Sequence, residues 1–313
     1  MKRFIASSII FTIICCSIIV AIELSFRSIP NNYSFKYQYL NNHAEHIQIS
    51  NLGSSLELDG INPKLFHRQA FNAALSAQSP EFDYYFFDKF YCSLDSLKVL
   101  ILPWSYSSLR QGTLPYGIYL FEYHNKCGFS APYLKFTQRF AISTYSLEKV
   151  VKILTMRILK GDFSMVTVDS LGWECWEDNY ANWEDSKQRE HAWRFGNEMK
   201  KVCGDGTVCN AETYAAIISR CKTRGIHVIL LSTPLTGLFI QELDGNQLES
   251  VISEGYEYQE KYDNVTYLNM FSNPRFPDSL FFNSDHLNAR GATLLTNIVD
   301  SIIENHILSI NSQ

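Results

Sequence analysis

Several signatures are missing from this chain, and each absence removes a class of chemistry. There is no HExxH pair, no Walker-type phosphate loop and no G-x-G-x-x-G fingerprint, so metal, nucleotide and nicotinamide chemistry have no support and no cofactor is expected. No basic run occurs and the formal net charge is −5, which argues against nucleic acid as a partner. The eight cysteines include no C-x-x-C pair, so a structural zinc site is not indicated. Their scattered positions are no disulfide framework either, although Cys203 and Cys209 can close a small loop in an exported protein. No internal repeat is present.

What is present begins with a membrane signal. Met1-Lys-Arg3 precedes an uncharged apolar run from Phe4 to Ile22. At about 1.5 Å per helical residue that run matches the roughly 30 Å of a bilayer core. It is long for a cleaved signal peptide, and no small-x-small site closes it before Glu23. Residues 1–24 therefore read as a retained single-pass anchor, with Cys15 and Cys16 as apolar filler. Lys2 and Arg3 place the amino end in the cytoplasm and the body outside it. Residues 25–45, polar and aromatic with a Pro-Asn-Asn turn, read as a stalk.

The remainder, 46–313, is compatible with one large α/β domain. His46 to Leu52 alternates as a strand, Leu97 to Pro103 is a buried apolar run, and Ile226 to Ser232 and Asn264 to Leu268 are two more strand candidates. Helices are predicted over 63–76, 81–91, 210–224 and 246–262, and Asn288 caps a last one. Strands alternating with helices imply a three-layer, doubly wound parallel sheet of flavodoxin-like type. Between about 109 and 206 the pattern loosens into an aromatic-rich insertion expected to lie over the site. It carries Trp173, Trp176, Trp183, Trp193 and Tyr180. Packing on the main domain is the plainer reading for these rings, and a platform for sugars is the other.

The chemistry concentrates in two short stretches. Asn51-Leu-Gly-Ser-Ser-Leu-Glu-Leu-Asp-Gly-Ile-Asn-Pro63 reads as a strand that ends in a glycine-led turn opening a helix, with Asn62 and Pro63 as a cap and first helical residue. A serine at the carboxyl edge of a strand is a nucleophile candidate, and Ser54 and Ser55 are both available. Far downstream, Phe281-Phe-Asn-Ser-Asp-His-Leu-Asn288 offers His286 as a base. His227 sits inside a strand pattern, and His43 and His46 stand alone, so none of them competes.

Gly53-Ser-Ser-Leu56 and Asp285-His-Leu-Asn288 resemble the first and last blocks of the SGNH, or GDSL-type, hydrolase and acyltransferase superfamily, and the local phrases resemble a membrane-anchored bacterial branch of it. The resemblance spans the chain after the anchor and implies an SGNH hydrolase-type fold, with Ser55 as nucleophile and His286 as base. It further implies ester hydrolysis or O-acyl transfer, acetyl among the candidate groups, on a surface glycan or small ester in the cell envelope.

Two departures from the family pattern stand out. The aspartate expected three residues before the histidine is Asn283, which accepts a hydrogen bond but brings no charge. In serine proteases the corresponding Asp-to-Asn change costs about 10⁴ in kcat. Asp285 and Asp278 are the nearby substitutes and Asp285 is carried as a catalytic candidate, although it directly precedes the histidine, a position from which a side chain can also point away. The family's oxyanion donors are the serine N–H, a glycine N–H and an asparagine side chain. Here they map to Ser55, to Ala77 in the glycine's place, and to Ser105 or Asn72 where the asparagine is missing. A second reading follows: a catalytically impaired subunit that binds or assembles envelope glycan alongside partner proteins.

Overall fold

The computed structural model describes residues 1–110, 117–129, 134–204 and 210–307. In chain order the helices are α1 (Lys2–Ser28), α2 (Asn32–His43), α3 (Ser55–Gly60), α4 (Pro80–Phe90), α5 (Tyr106–Arg110), α6 (Gly117–Cys127), α7 (Ala141–Tyr145), α8 (Leu147–Lys160), α9 (Asp185–Cys203), α10 (Ala211–Thr223), α11 (Gly237–Glu242), α12 (Gly245–Lys261) and α13 (Ala289–Ile302). The strands are β1 (Ile49–Asn51), β2 (Ala70–Asn72), β3 (Val99–Pro103), β4 (His227–Ser232) and β5 (Val265–Asn269). The chain divides into two compact units, Met1–Gln38 with Pro115–Thr167 and Tyr39–Leu114 with Val168–Gln313.

The larger unit is built on one parallel sheet in the order β2-β1-β3-β4-β5. The chain leaves β1 toward β2 on one side and β3 pairs with β1 on the other, so the direction of winding reverses beside β1. A crevice outside the carboxyl ends of the strands forms at such a reversal. β3 is buried along its whole length, because helices cover both faces and leave no polar side to alternate with. Val99, Ile101, Ile229 and Leu231 pack with Leu295 and Val299 of α13 in one core cluster. The alternating residues Leu100, Leu102, Val228 and Leu230 point to the opposite face and are equally buried.

Local structure differs from the sequence reading near β1. The helix expected over 63–76 is a single 3₁₀ turn, Pro63–Leu65, in which Asn62 Oδ1 accepts from Lys64 N–H. The chain then forms β2, whose three residues pair with β1 alone. A strand that short shows no periodicity in sequence. The helix after the serine turn is α3, which starts at Ser55 itself. Residues 25–45 are mostly helical, containing the last turn of α1 and the whole of α2. Of the 109–206 stretch, α6, α7 and α8 fall in the smaller unit and α9 in the larger. Cys203 carries a free thiol, and Cys209 lies outside the described residues.

In the smaller unit, α1 is long and apolar enough to cross a membrane, and most of its apolar side chains between Phe4 and Leu24 are exposed. The chain turns at Ile29, held extended by the following Pro30, before α2 begins.

Candidate active site

The serine turn follows β1 at the winding reversal. Gly53 has φ +124°, and a Cβ there would sit 2.4 Å from Glu57 Oε2, so both backbone conformation and space demand glycine. The Gly53 N–H donates to Asp83 Oδ1 at 2.8 Å, and the Ser54 N–H to Glu57 Oε2 at 2.9 Å. Ser54 thus serves as the cap of α3, and Ser55 is the first residue inside the helix. The loop after β2 lies alongside, since Leu75 N–H donates to Gly53 O at 3.1 Å.

His286 arrives on the loop between Phe281 and Leu287, which bridge each other antiparallel. Phe282 N–H donates to His286 O at 2.9 Å, and the Asn288 side chain, besides capping α13, donates to the carbonyls of Asp178, Ser279 and Phe281. So held, His286 Nε2 lies 2.8 Å from Ser55 Oγ across 231 positions of sequence. Ser54 Oγ faces Glu57 instead, at 3.4 Å.

On the far side of the ring two groups meet Nδ1. Asn283 Oδ1 is 3.2 Å away and also accepts the backbone N–H groups of Asp285 (3.0 Å) and His286 (2.8 Å). Asp285 Oδ1 is 3.1 Å away. It meets no aligned hydrogen-bond partner among the described residues, so its contribution is charge beside the N–H rather than a second directed bond. Of the two directions open to Asp285, the side chain takes the one toward the ring: the amide of Asn283 gathers two successive N–H groups and curls the loop, which brings the carboxylate round.

Further acids crowd the same place. Asp59 stands one helical turn after Ser55, on the same face of α3. It is buried, its Oδ1 lacks a hydrogen-bond partner among the described residues, and its backbone carbonyl takes the Trp173 indole N–H at 2.7 Å. Burial pushes Asp59 up to about 7, partly offset by His286. Burial likewise pushes Glu57 up to about 8 and Asp83 up to about 6. For His286, burial favours the neutral ring, but Asp285, then Asp59 and Glu57, outweigh it and raise the imidazole to about 9. His191 of α9 approaches from the other side, with Nδ1 2.8 Å from Ser284 Oγ; its burial lowers its pKa. Sequence reading passed over His191, Asp59 and Glu57, although the Ser55-to-Asp59 spacing is legible once a helix begins at Ser55.

The oxyanion candidates divide. Asn72 is fully buried, and its amide nitrogen donates to Glu57 O, Leu58 O and Ile61 O at 2.9, 3.2 and 2.9 Å. Its oxygen accepts from Asn51 Nδ2 and Ala74 N–H. It closes the end of α3 and has no donor left for a substrate, which corrects the expectation that it reaches the site. Ser105 Oγ is buried, shared with Ser107 Oγ and the Ser108 N–H. Ala77 has φ +53°, a left-handed backbone that suits the glycine the resemblance expects there. The tryptophans divide too: Trp173 packs on α3, Trp183 borders the core cluster, Trp193 is exposed, and Trp176 stacks on Phe282 (4.8 Å, 10°), whose ring neighbours His286. Among the described residues no group of three or more His, Cys, Asp or Glu could hold a metal ion.

No protein-family model matches the chain, and no curated protein matches it. Among solved structures, the chain is similar to a Bacteroides fragilis protein described as a "putative acylhydrolase", with a TM-score of 0.41 and 10% identity over 86% of this chain and 96% of that one.

Proposed function

We propose that this chain is a membrane-anchored serine esterase or O-acyltransferase of SGNH type, and that it acts on acyl groups, acetyl among them, of a cell-envelope glycan. The observation that carries the reading is the 2.8 Å contact between Ser55 Oγ and His286 Nε2 at the winding reversal of a parallel sheet. A serine hydroxyl is a weak nucleophile, and an imidazole within hydrogen-bond reach removes its proton as it attacks. Ser55 Oγ adds to the ester carbonyl while His286 Nε2 takes the proton. The tetrahedral adduct then collapses, and the alcohol leaves with that proton. Water or an acceptor hydroxyl, deprotonated by the same nitrogen, releases the acyl group from Ser55.

The imidazolium formed in each half-reaction needs negative charge on its other side. Asn283 orients the ring and Asp285 supplies the charge, dividing between two residues what one aspartate does in the family pattern. The backbone N–H groups of Ser55 and Ala77 are the proposed oxyanion donors. The exposed face of Trp176, stacked on Phe282 beside His286, offers flat apolar area of the kind sugar rings pack against. Lys2 and Arg3 before the apolar run support a cytoplasmic amino end and a body outside the cytoplasm.

A second reading, a non-catalytic binding or assembly subunit, draws on the same ring: an imidazole raised to about 9 is mostly protonated near neutrality and cannot accept the serine proton. A fluorophosphonate probe separates the two. Labelling of the full chain that disappears in Ser55→Ala supports the enzyme, and a folded wild-type chain that stays unlabelled from pH 7 to alkaline pH supports the subunit.

A further inference from the structure

The carboxyl end of α1 is built into the smaller unit in a way that sets its depth. Glu23, the first charge after the apolar run, is buried, and accepts the N–H groups of Ala141 (2.9 Å) and Ile142 (3.1 Å) as well as Arg27 Nε (2.7 Å). Phe26 and Ile29 join Phe121, Ala141 and Val150 in one cluster, with Ile22, Ile153 and Leu154 at its border. α8 therefore rests against α1 just past Ile22. That is the level at which a span beginning near Phe4 leaves a hydrocarbon core of about 30 Å.

α8 carries more apolar surface than this packing consumes. Leu147, Val151 and Ile158, 43, 40 and 64% exposed, share one side of the helix beside the buried residues, and Leu159 at its carboxyl end is 80% exposed. Phe163, just beyond the helix, and Phe136, before it, are exposed as well. Lys149, Lys152 and Lys160 project from the polar side. Residues 134–167 hold six basic side chains against two acidic, in a chain whose net charge is −5. Val20 and Leu24 near the end of α1 are exposed as well.

We propose that α8 lies in the headgroup–acyl boundary of the bilayer that α1 crosses, on whichever side α1 emerges. Its apolar stripe enters the acyl chains, and its lysines reach anionic headgroups. The long lysine stems let the charged tips stay in the polar layer while the helix axis sinks. The proposal rests on α1 being a membrane span and is independent of any chemistry at Ser55.

The test uses the full chain with Cys15, Cys16, Cys92, Cys175 and Cys209 replaced by serine. A single environment-sensitive fluorophore is placed through Ile14→Cys, Leu159→Cys or Phe136→Cys, and the chain is reconstituted in phosphatidylglycerol–phosphatidylcholine vesicles. The expected result is quenching at position 14 by nitroxides deep in the acyl chains, and at 159 and 136 by nitroxides near the headgroup, with all three shielded from aqueous iodide. Combining Leu159→Cys with Lys149→Glu, Lys152→Glu and Lys160→Glu should abolish the shallow quenching at 159, while position 14 keeps its deep quenching in the matching triple variant. Lipid quenching at 14 with iodide access at 159 and 136 overturns the proposal. So does shielding at 159 without lipid quenching, which points to a protein on that face. Iodide access at 14 removes the span itself, and leaves labelling of Ser55 as a separate question.

Discussion

Replacing Asp285 with asparagine removes the charge beside His286 while keeping the side chain's shape. At 3.1 Å, a unit charge pair at an effective dielectric of about 20 is worth about 5 kcal/mol by Coulomb's law. That corresponds to roughly four pKa units at about 1.36 kcal/mol each. Burial of the ring opposes this, and the net result is an imidazole raised from 6.5 to about 9. Without the Asp285 charge, burial regains weight against Asp59 and Glu57, and the pKa should fall by at least about 2 units. The rate of fluorophosphonate labelling of Ser55 follows the neutral fraction of His286. In the wild type it should rise with pH through a midpoint near 9. In Asp285→Asn the midpoint should move toward 6.5, while the alkaline plateau drops by about 10² or more because the forming imidazolium has lost its counter-charge. The variant therefore reaches its lower plateau about two pH units earlier than the wild type reaches its own. A midpoint within about half a unit of the wild type would refute the coupling, since 5 kcal/mol cannot vanish without moving the titration.

Three further outcomes concern the frame around the site. Ala77 holds a left-handed backbone, so Ala77→Gly should raise unfolding free energy by about 1 kcal/mol in denaturant titrations of the detergent-solubilised chain. Asn72→Ala leaves three carbonyls at the end of α3 without their donor and should cost about 2–4 kcal/mol by the same measurement; a neutral result would show that the amide is not what closes the helix. Glu57 has a folded pKa of about 8 against an ordinary 4.5, so the folded state keeps the proton longer than the unfolded chain. Its stabilising effect is complete below about pH 4.5 and is lost as pH rises through about 8. Glu57→Gln, which can still accept from the Ser54 N–H, should flatten the fall in stability across that window by up to about 5 kcal/mol, and an unchanged slope would assign the fall to other groups.

How much of this was legible in the sequence depended on how far each signal extended along the chain. β3 and β4 each hold four consecutive aliphatic residues and β5 is a five-residue stretch with Val, Thr and Tyr, so their pattern survived reading without neighbours. β2 has three residues and no period of its own; only its pairing with β1 defines it. The serine and the histidine were legible because each sits on a turn with its own chemistry: a glycine that cannot carry a Cβ beside Glu57, and a loop tied down by Asn288. His191 carried no such marker. It lies on a charged helix, and only the fold brings it to Ser284, 93 positions away. The direction of Asp285 beside the histidine stayed open for a different reason. Neighbouring side chains in extended chain point to opposite sides, and on that rule Asp285 should have turned from the ring. The chain there is not extended, because Asn283 Oδ1 collects the N–H groups of both residues that follow it. The substitution that removes charge from the expected position is thus the same feature that bends Asp285 into reach. A pattern read one position at a time scores Asn283 as a loss, whereas the geometry makes Asn283 and Asp285 a single unit. On this account Asn283→Ala should harm the site twice, by freeing the ring to rotate and by releasing the carboxylate.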